Sequence, residues 1–147
     1  IGPLLYSEAS QESELLARLS DGKKNILVCM GSSGNWEALS FLSLPEYASF
    51  TIVTAGDVNR HIKGTHVLAR PFVSLDAILP RCALLICHGG NGTIYFGIKH
   101  KLPMLCLTSH FEQEWNVQAL VSLRIGISIN DAPKRRVDDY LKQLAVT

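Results

Sequence analysis

The chain has 147 residues, of which 47% are hydrophobic, so it is long enough for one domain with a real core and too apolar to be disordered. Fourteen basic and thirteen acidic residues nearly cancel, which gives no reason to expect nucleic acid or an anionic membrane as a partner. No apolar run approaches the ~20 residues of a membrane span, and we expect no signal peptide before the domain.

Strand and helix patterns alternate along the chain. Short apolar runs predict strands that are buried on both faces, and amphipathic segments between them predict helices. The predicted strands are Asn25–Met30, Phe50–Thr54, Thr65–Ala69, Ala83–Cys87, Met104–Leu107 and Ile125–Ile129. The predicted helices are Ser10–Leu19, Trp36–Leu42, Leu75–Leu79, Thr93–His100, Glu112–Leu123 and Val137–Ala145.

This alternation predicts an α/β fold, a Rossmann-like, doubly wound parallel sheet of six strands. We expect the strand order 3-2-1-4-5-6 and a ligand at the carboxyl ends of strands one and four, where the order reverses. Residues 1–24 are expected to form a linker and an N-terminal helix, and residues 25–147 the ligand-binding domain. The chain opens with Ile1 and not with Met, so we expect a piece of a longer protein.

The most informative motif is H-G-G-N-G-T at His88–Thr93. It lies between an apolar strand and a predicted helix, where glycines let the backbone approach an anion and a helix start offers unpaired N–H groups. The spacing is neither the dinucleotide-binding G-x-G-x-x-G nor a P-loop. The turn Gly31–Gly34 would face the same crevice. The motif therefore favours a phosphate ligand, with a ligand-free tight turn as the other interpretation.

Cysteine usage predicts neither a metal site nor a disulfide. Cys29, Cys87 and Cys106 lie inside apolar runs, where cysteine acts as a small hydrophobic residue. There is no C-x-x-C and no Cys/His pairing at zinc spacing. Reduced thiols indicate a cytoplasmic location.

Three local matches carry a family resemblance that extends from about Ile26 to Ile129. They are the H-G-G-N-G-T turn, Phe72-Val73 with the segment Asp76–Pro80, and Glu112-Gln113 followed by Asn116. In these matches the chain resembles the C-terminal, donor-binding domain of GT-B glycosyltransferases. The similarity is greatest to the group that includes the UDP-glucuronosyltransferases and the antibiotic and plant glycosyltransferases.

The resemblance implies a UDP-sugar or dTDP-sugar as donor, with no cofactor and no metal. The implied diphosphate-binding residues are His88, Gly90, Asn91, Gly92, Thr93, Ser32 and Ser33. The implied nucleobase-binding residues are Phe72 and Val73, and the implied sugar-binding residues are Glu112 and Gln113, with Asn116 helping to close the sugar site. His110 and Phe111 would line the entrance to the acceptor-side cleft.

The resemblance also implies what this chain lacks. The catalytic base and the acceptor site lie in an N-terminal domain of the family, so we expect no catalytic residue here and no sugar transfer by this chain alone. The expected partners are a nucleotide sugar and that N-terminal, acceptor-binding domain or subunit. Many members bind the ribose with a glutamate at the position of Phe96, so ribose recognition must differ here.

Most of these residues also fit a structural role that involves no ligand. His88 fits a satisfied histidine at a strand end, Phe72 fits core packing, and Ser32 and Ser33 fit ordinary turn chemistry. Glu112 is favoured by the dipole at any helix start. Two other functions also remain: a separate donor-binding subunit of a split UDP-N-acetylglucosamine transferase, and a non-catalytic nucleotide-binding domain.

Overall fold

The computed structural model describes residues 12–19, 22–31, 34–108 and 111–146. These residues form one parallel sheet of six strands in the order β3-β2-β1-β4-β5-β6. The strands are β1 Lys24–Cys29, β2 Phe50–Ala55, β3 Val67–Arg70, β4 Leu84–Cys87, β5 Met104–Cys106 and β6 Gly126–Ser128. The predicted fold class and strand order are confirmed.

Helices connect the strands. The α-helices are α1 at residues 12–18, α2 Leu75–Ile78, α3 Asn91–Lys99, α4 Phe111–Ser122 and α5 Pro133–Val146. The 3-10 helices of the described residues lie at Glu37–Ser43, Pro45–Tyr47 and Leu79–Arg81. Within the described ranges, none of the helices is both long enough and apolar enough to cross a bilayer.

The sheet is buried on both faces because alternate strand residues point to opposite sides. One face carries Ile26, Val28 and Ile86, which pack with the 3-10 helix at Glu37–Ser43 and with α5. The other face packs against α1, α3 and α4, through residues that include Leu15, Leu27, Leu85, Ile94 and Val117. Layers on both faces of one parallel sheet make the fold doubly wound.

Helix α3 lies unusually close to the sheet at Gly97. A Cβ atom on Gly97 would sit 2.5 Å from Met104 Sδ and 3.2 Å from Leu85 Cδ2, which is nearer than side chains tolerate. Glycine at this position therefore sets the distance between α3 and strands β4 and β5.

Some element boundaries differ from the sequence prediction. Helix α3 begins at Asn91, two residues earlier than predicted, because Gly90 with its extended backbone (φ −72°, ψ 147°) serves as the N-cap. Helix α5 begins at Pro133, four residues before the predicted start at Val137, since proline fits the first turn of a helix. The segment predicted as a helix at Trp36–Leu42 is a 3-10 helix from Glu37 to Ser43. Ser10, the predicted start of the first helix, lies outside the described residues.

Candidate functional site

The candidate site lies where the strand order reverses. Strand β1 pairs with β2 on one side and with β4 on the other, and Cys29 is the register neighbour of Cys87. The two strands therefore end side by side, and the turns that follow them share one crevice. This is the place at which open parallel sheets bind ligands.

The His88 ring is held between two glycines, one from each of these turns. A Cβ atom on Gly31 would lie 3.1 Å from His88 Nε2, and a Cβ atom on Gly90 would lie 2.6 Å from it. Gly31 also has a φ of +66°, a conformation that favours glycine. The residues that follow β1 and β4 thus fix the imidazole at the strand ends, and the half-buried ring keeps part of its surface at the crevice.

The N-terminus of α3 opens beside this ring. Gly90, the N-cap, makes no side-chain hydrogen bond, so it leaves the first backbone N–H groups of the helix uncapped. Gly92 is exposed, and a Cβ atom there would meet nothing within 4 Å. The helix start therefore combines N–H donors, the positive end of the dipole and open space, which together suit an anion.

Helix α4 supports the glycine turn from the other side. Asn116 Nδ2 donates a hydrogen bond to the Gly89 carbonyl oxygen over 3.1 Å. Gly89 has a φ of +87°, and a Cβ atom there would lie 3.1 Å from Val117 Cγ2 and 3.3 Å from the Gln113 carbonyl oxygen. The resemblance implies a sugar-closing role for Asn116, whereas the structure shows its amide bonded to the phosphate-type turn.

The remaining residues of the implied diphosphate and sugar sites fall around this turn. Thr93 is half-buried, and its hydroxyl group hydrogen-bonds the Cys29 thiol. Burial raises the pKa of that thiol, and the hydrogen bond from Thr93 opposes this rise only in part. Gln113 is only 8% exposed. Ser32, Ser33 and His110 lie outside the described residues, as do the side chains of Asn91, Phe111 and Glu112.

A cavity of about 560 Å³ opens next to this turn, at the carboxyl ends of β1, β2 and β3. Phe72 and Val73 line it together with Gly31, so the structure joins the implied nucleobase residues to the turn that touches His88. Phe72 is 74% exposed, which shows that the core-packing interpretation of this ring is wrong. Val73 is half-buried and packs against the core.

Trp36, Asp57 and His61 are among the cavity residues that sequence reasoning missed. Trp36 Nε1 donates to the Gly31 carbonyl oxygen over 3.3 Å and so supports the glycine beside His88. Asp57 follows β2, and its position after a strand end is the only signal that could have found it. Burial alone would raise the pKa of Asp57, but hydrogen bonds from the Ile62 N–H and from His61 lower it overall.

Phe96 does not face the crevice as a polar residue would. The ring is half-buried and packs against the same apolar core as Ile94 and Val117. It also lies edge-on to Tyr95, with 5.4 Å between the ring centroids. Phe96 therefore serves packing between α3 and its neighbours and offers no hydrogen bond to a ribose.

Sequence relatives of this chain are glycosyltransferases. Tylactone mycaminosyltransferase of Streptomyces fradiae is 31% identical over 81 residues, which cover 55% of this chain and 16% of the relative. A PGL/p-HBAD biosynthesis glycosyltransferase of Mycobacterium tuberculosis is 24% identical over 130 residues, or 86% of this chain and 30% of the relative. The chain is therefore similar in sequence to antibiotic glycosyltransferases over about half of its length. No family model matches it.

The fold agrees with this sequence similarity. The crystal structure of the glycosyltransferase VinC in complex with dTDP superposes with a TM-score of 0.64 at 19% identity, over 86% of this chain and 35% of VinC. At that identity the match establishes the Rossmann-like fold. The chain spans about a third or less of the length of each of these three proteins.

Proposed function

We propose that this chain is the donor-binding domain of a glycosyltransferase that moves a sugar from a UDP-sugar or dTDP-sugar to an acceptor held by an N-terminal domain or subunit. The observation that carries the proposal is the glycine turn after β4, which sets a fixed histidine and an uncapped helix start beside a cavity with an exposed aromatic ring. The binding of dTDP by VinC, a structural neighbour, supports the same ligand class.

The cavity after β1, β2 and β3 would hold the nucleoside. Phe72 would stack on the base, an interaction of about 1–3 kcal/mol for base–aromatic pairs. Backbone groups of Val73 would read the base edge, because an N–H and a carbonyl together match a pyrimidine. The area of exposed phenyl ring beside Gly31 supports this placement.

The glycine turn would hold the diphosphate. His88 and the amides from Gly90 to Thr93, with Asn91 and Gly92 between them, would donate hydrogen bonds to the phosphate oxygens, and Ser32 and Ser33 would add donors from the turn after β1. As the sugar departs, negative charge grows on the leaving diphosphate. Donors that are already in place stabilise that transition state more than the ground state, and we propose that they do so without a metal ion.

The start of α4 would hold the donor sugar. Glu112 would accept hydrogen bonds from sugar hydroxyls, and the amide of Gln113 could both donate and accept. The contact of Gln113 with Gly89 supports this placement, since it brings the first turn of α4 against the phosphate-type turn.

The transfer reaction would need residues that this chain does not supply. We propose that the catalytic base and the acceptor site come from the N-terminal domain or subunit, and that this chain alone binds donor without transferring sugar. The comparisons do not favour a separate subunit or a non-catalytic domain, because both reported relatives are glycosyltransferases in which the matching region is part of one longer chain.

Calorimetric titration of the purified protein with nucleotides tests the donor site. We expect UDP or dTDP to bind more tightly than the matching monophosphate, and the monophosphate more tightly than the nucleoside, because the turn contacts the diphosphate. Equal affinities for nucleoside and diphosphate would show that His88–Thr93 is not a phosphate site.

The proposed sugar site is tested by Glu112→Ala in the enzyme completed with its N-terminal domain. We expect lower use of the nucleotide sugar and nearly unchanged affinity for the bare diphosphate, because Glu112 would touch only the sugar. Glu114→Ala is the matched control, since Glu114 is exposed on the same helix. A loss of diphosphate affinity in Glu112→Ala as large as that in His88→Ala would contradict the assignment.

A further inference from the structure

The loop after β2 is closed around one buried carboxylate. Asp57 Oδ1 lies 2.8 Å from His61 Nδ1, and Asp57 Oδ2 accepts a hydrogen bond from the Ile62 N–H over 2.9 Å. The His61 backbone N–H is a further donor to this carboxylate. Ile62 is buried in the core, so the loop is fixed at its end as well as by its hydrogen bonds.

A second anchor holds the same loop from the neighbouring 3-10 helix. Ser43 Oγ donates to the His61 carbonyl oxygen over 3.4 Å and accepts from the Lys63 N–H over 2.8 Å. The backbone on both sides of Ile62 is therefore tied to Ser43. A loop held in this way positions its side chains as firmly as a regular element does.

The His61 ring has one fixed side and one open side. The Asp57 side chain is 0% exposed and that of His61 is 31% exposed, so the part of the ring that solvent reaches lies away from the Nδ1 atom that faces Asp57. His61 also lines the 560 Å³ cavity that contains Phe72 and Val73. A carboxylate at Nδ1 keeps the proton on that nitrogen, which makes Nε2 of the neutral ring a hydrogen-bond acceptor.

Few polar side chains in the described cavity wall share these properties. Asp57 has no exposed side-chain surface and is already bonded to the loop. Asn59 lies exposed at the rim, and its side chain forms no hydrogen bond with the described residues. Phe96, at the position that the resemblance gives to a ribose-binding glutamate, packs into the core. Among the described polar side chains of this cavity, His61 is therefore the one that is both fixed in orientation and open to a nucleoside.

We propose that His61, held in orientation by Asp57, determines nucleoside specificity by accepting a hydrogen bond at Nε2 from an N–H or O–H group of the nucleoside that stacks on Phe72. This inference rests on the proposed donor site and adds a residue to it. The donor group is either the N3–H of a pyrimidine base or a ribose hydroxyl. Asp57 is a positioning residue, because it contacts the histidine and not the ligand.

Calorimetry with UDP and with inorganic pyrophosphate tests the proposal. His61→Ala should weaken UDP binding by about 3- to 12-fold, the size of one ordinary hydrogen bond, and should leave pyrophosphate affinity unchanged. Pyrophosphate binding also reports that the variant is folded. His61→Phe, which keeps a ring and removes both nitrogens, should behave in the same way, and Asn59→Ala should change neither affinity.

Two modified ligands identify the hydrogen-bond donor. If the base is the donor, N3-methyluridine diphosphate should bind the wild type more weakly than UDP and bind His61→Ala as well as UDP does. If the 2′-hydroxyl is the donor, 2′-deoxyuridine diphosphate should show that pattern instead. If His61→Ala lost affinity equally for UDP, both analogues and pyrophosphate, the proposal would be overturned, because the ring would then have only a structural role.

The role of Asp57 is tested by a double-mutant cycle. Asp57→Asn alone should weaken UDP binding less than His61→Ala does and leave pyrophosphate binding intact. Added to His61→Ala, it should have no further effect on UDP, because both changes act through one contact. Additive losses would overturn the positioning role.

The outcomes separate this inference from the function on which it rests. A wild-type protein that binds neither UDP nor dTDP would overturn the proposed donor site and the inference with it. A wild-type protein that binds UDP, with His61→Ala binding it equally well, would overturn the role of His61 and leave the donor site standing.

Discussion

The two sides of the candidate site differ in the chemical groups that they present. The side formed by β4, α3 and α4 presents glycines and backbone N–H groups, with contacts so close that a methyl group at Gly89 or Gly90 would collide with its neighbours. The side formed by the loops after β2 and β3 presents side chains, among them Phe72 and the Asp57–His61 pair. In the proposed site, the phosphates would therefore be bound mainly by main-chain groups and the nucleoside mainly by side chains.

This difference predicts how each side responds to mutation. Where backbone groups form the surface, most side-chain substitutions should leave binding unchanged. A substitution that adds atoms close to the ligand or to a neighbouring residue should not be tolerated. A surface made of side chains can change its specificity one residue at a time while the fold stays the same. The three predictions below test this contrast in order of decreasing effect.

The largest effect is expected from His88→Ala, which removes a side chain that is fixed within the backbone-built surface. The free energy of diphosphate binding should become less favourable by about 1.5–3 kcal/mol, the usual value for a hydrogen bond to a charged group. The melting temperature should change little, because the ring lies at the crevice. Calorimetry and thermal unfolding measure both, with His100→Ala at the far end of α3 as the control. A large stability loss with unchanged affinity would identify His88 as purely structural.

Gly92→Ala should change stability and binding in opposite directions. Alanine favours a helix over glycine by up to about 1 kcal/mol, and the added Cβ atom would meet nothing within 4 Å, so the free energy of unfolding should rise. Diphosphate affinity should fall, because the methyl group occupies space that the ligand needs.

Gly97→Ala in the same helix is the matched control for Gly92→Ala. Its Cβ atom would lie 2.5 Å from Met104 Sδ, so it should destabilise the protein, by about 1–3 kcal/mol for an overpacked core. If Gly92→Ala left diphosphate affinity unchanged, the open space beside the helix start would have no role in binding.

The smallest effect concerns pH and the side-chain-built surface. Hydrogen bonds from Ile62 and His61 outweigh burial and hold the pKa of Asp57 below its usual value. The stabilisation that results is complete above the unfolded-state pKa of about 3.9 and is lost as pH falls through the lower folded-state pKa. Asp57→Asn should therefore be less stable than wild type near neutral pH, and the gap should narrow at acidic pH.

Urea unfolding of both proteins from pH 7 to pH 3 measures this gap. A gap that stays constant over the acidic range would show that the Asp57 carboxylate contributes nothing through its ionised form.

Much of the fold was predictable because it follows from hydrophobic pattern. The central strands β1, β2, β4 and β5 are mainly apolar runs with buried residues on both faces. The alternation with helices indicates the crossovers that set the order β3-β2-β1-β4-β5-β6. Helix boundaries were less predictable where the helix extends beyond the residues that form its apolar stripe. Helix α5 starts at Pro133, whereas its apolar stripe starts only at Val137.

The candidate site was predictable only in part. The glycine turn is a local motif, so residues adjacent in sequence are adjacent in space. The predicted strand order brings the turns after β1 and β4 together, but no sequence pattern shows that the His88 ring lies between Gly31 and Gly90. The Asp57–His61 contact lies in an irregular loop, where no periodicity relates a residue to the one four positions later.

The close approach of Gly97 to the sheet has a consequence for the chemistry at the other end of α3. Because α3 packs against Met104 and Leu85 with no room for a methyl group at Gly97, we expect this packing to hold the helix, and with it the dipole, in one direction while the diphosphate leaves. In the proposed reaction, a helix dipole whose positive end already points at the diphosphate needs no reorganisation while negative charge develops there. The missing side chain at Gly97 would then contribute to the rate from two helical turns away, by keeping the electrostatics of the leaving group constant.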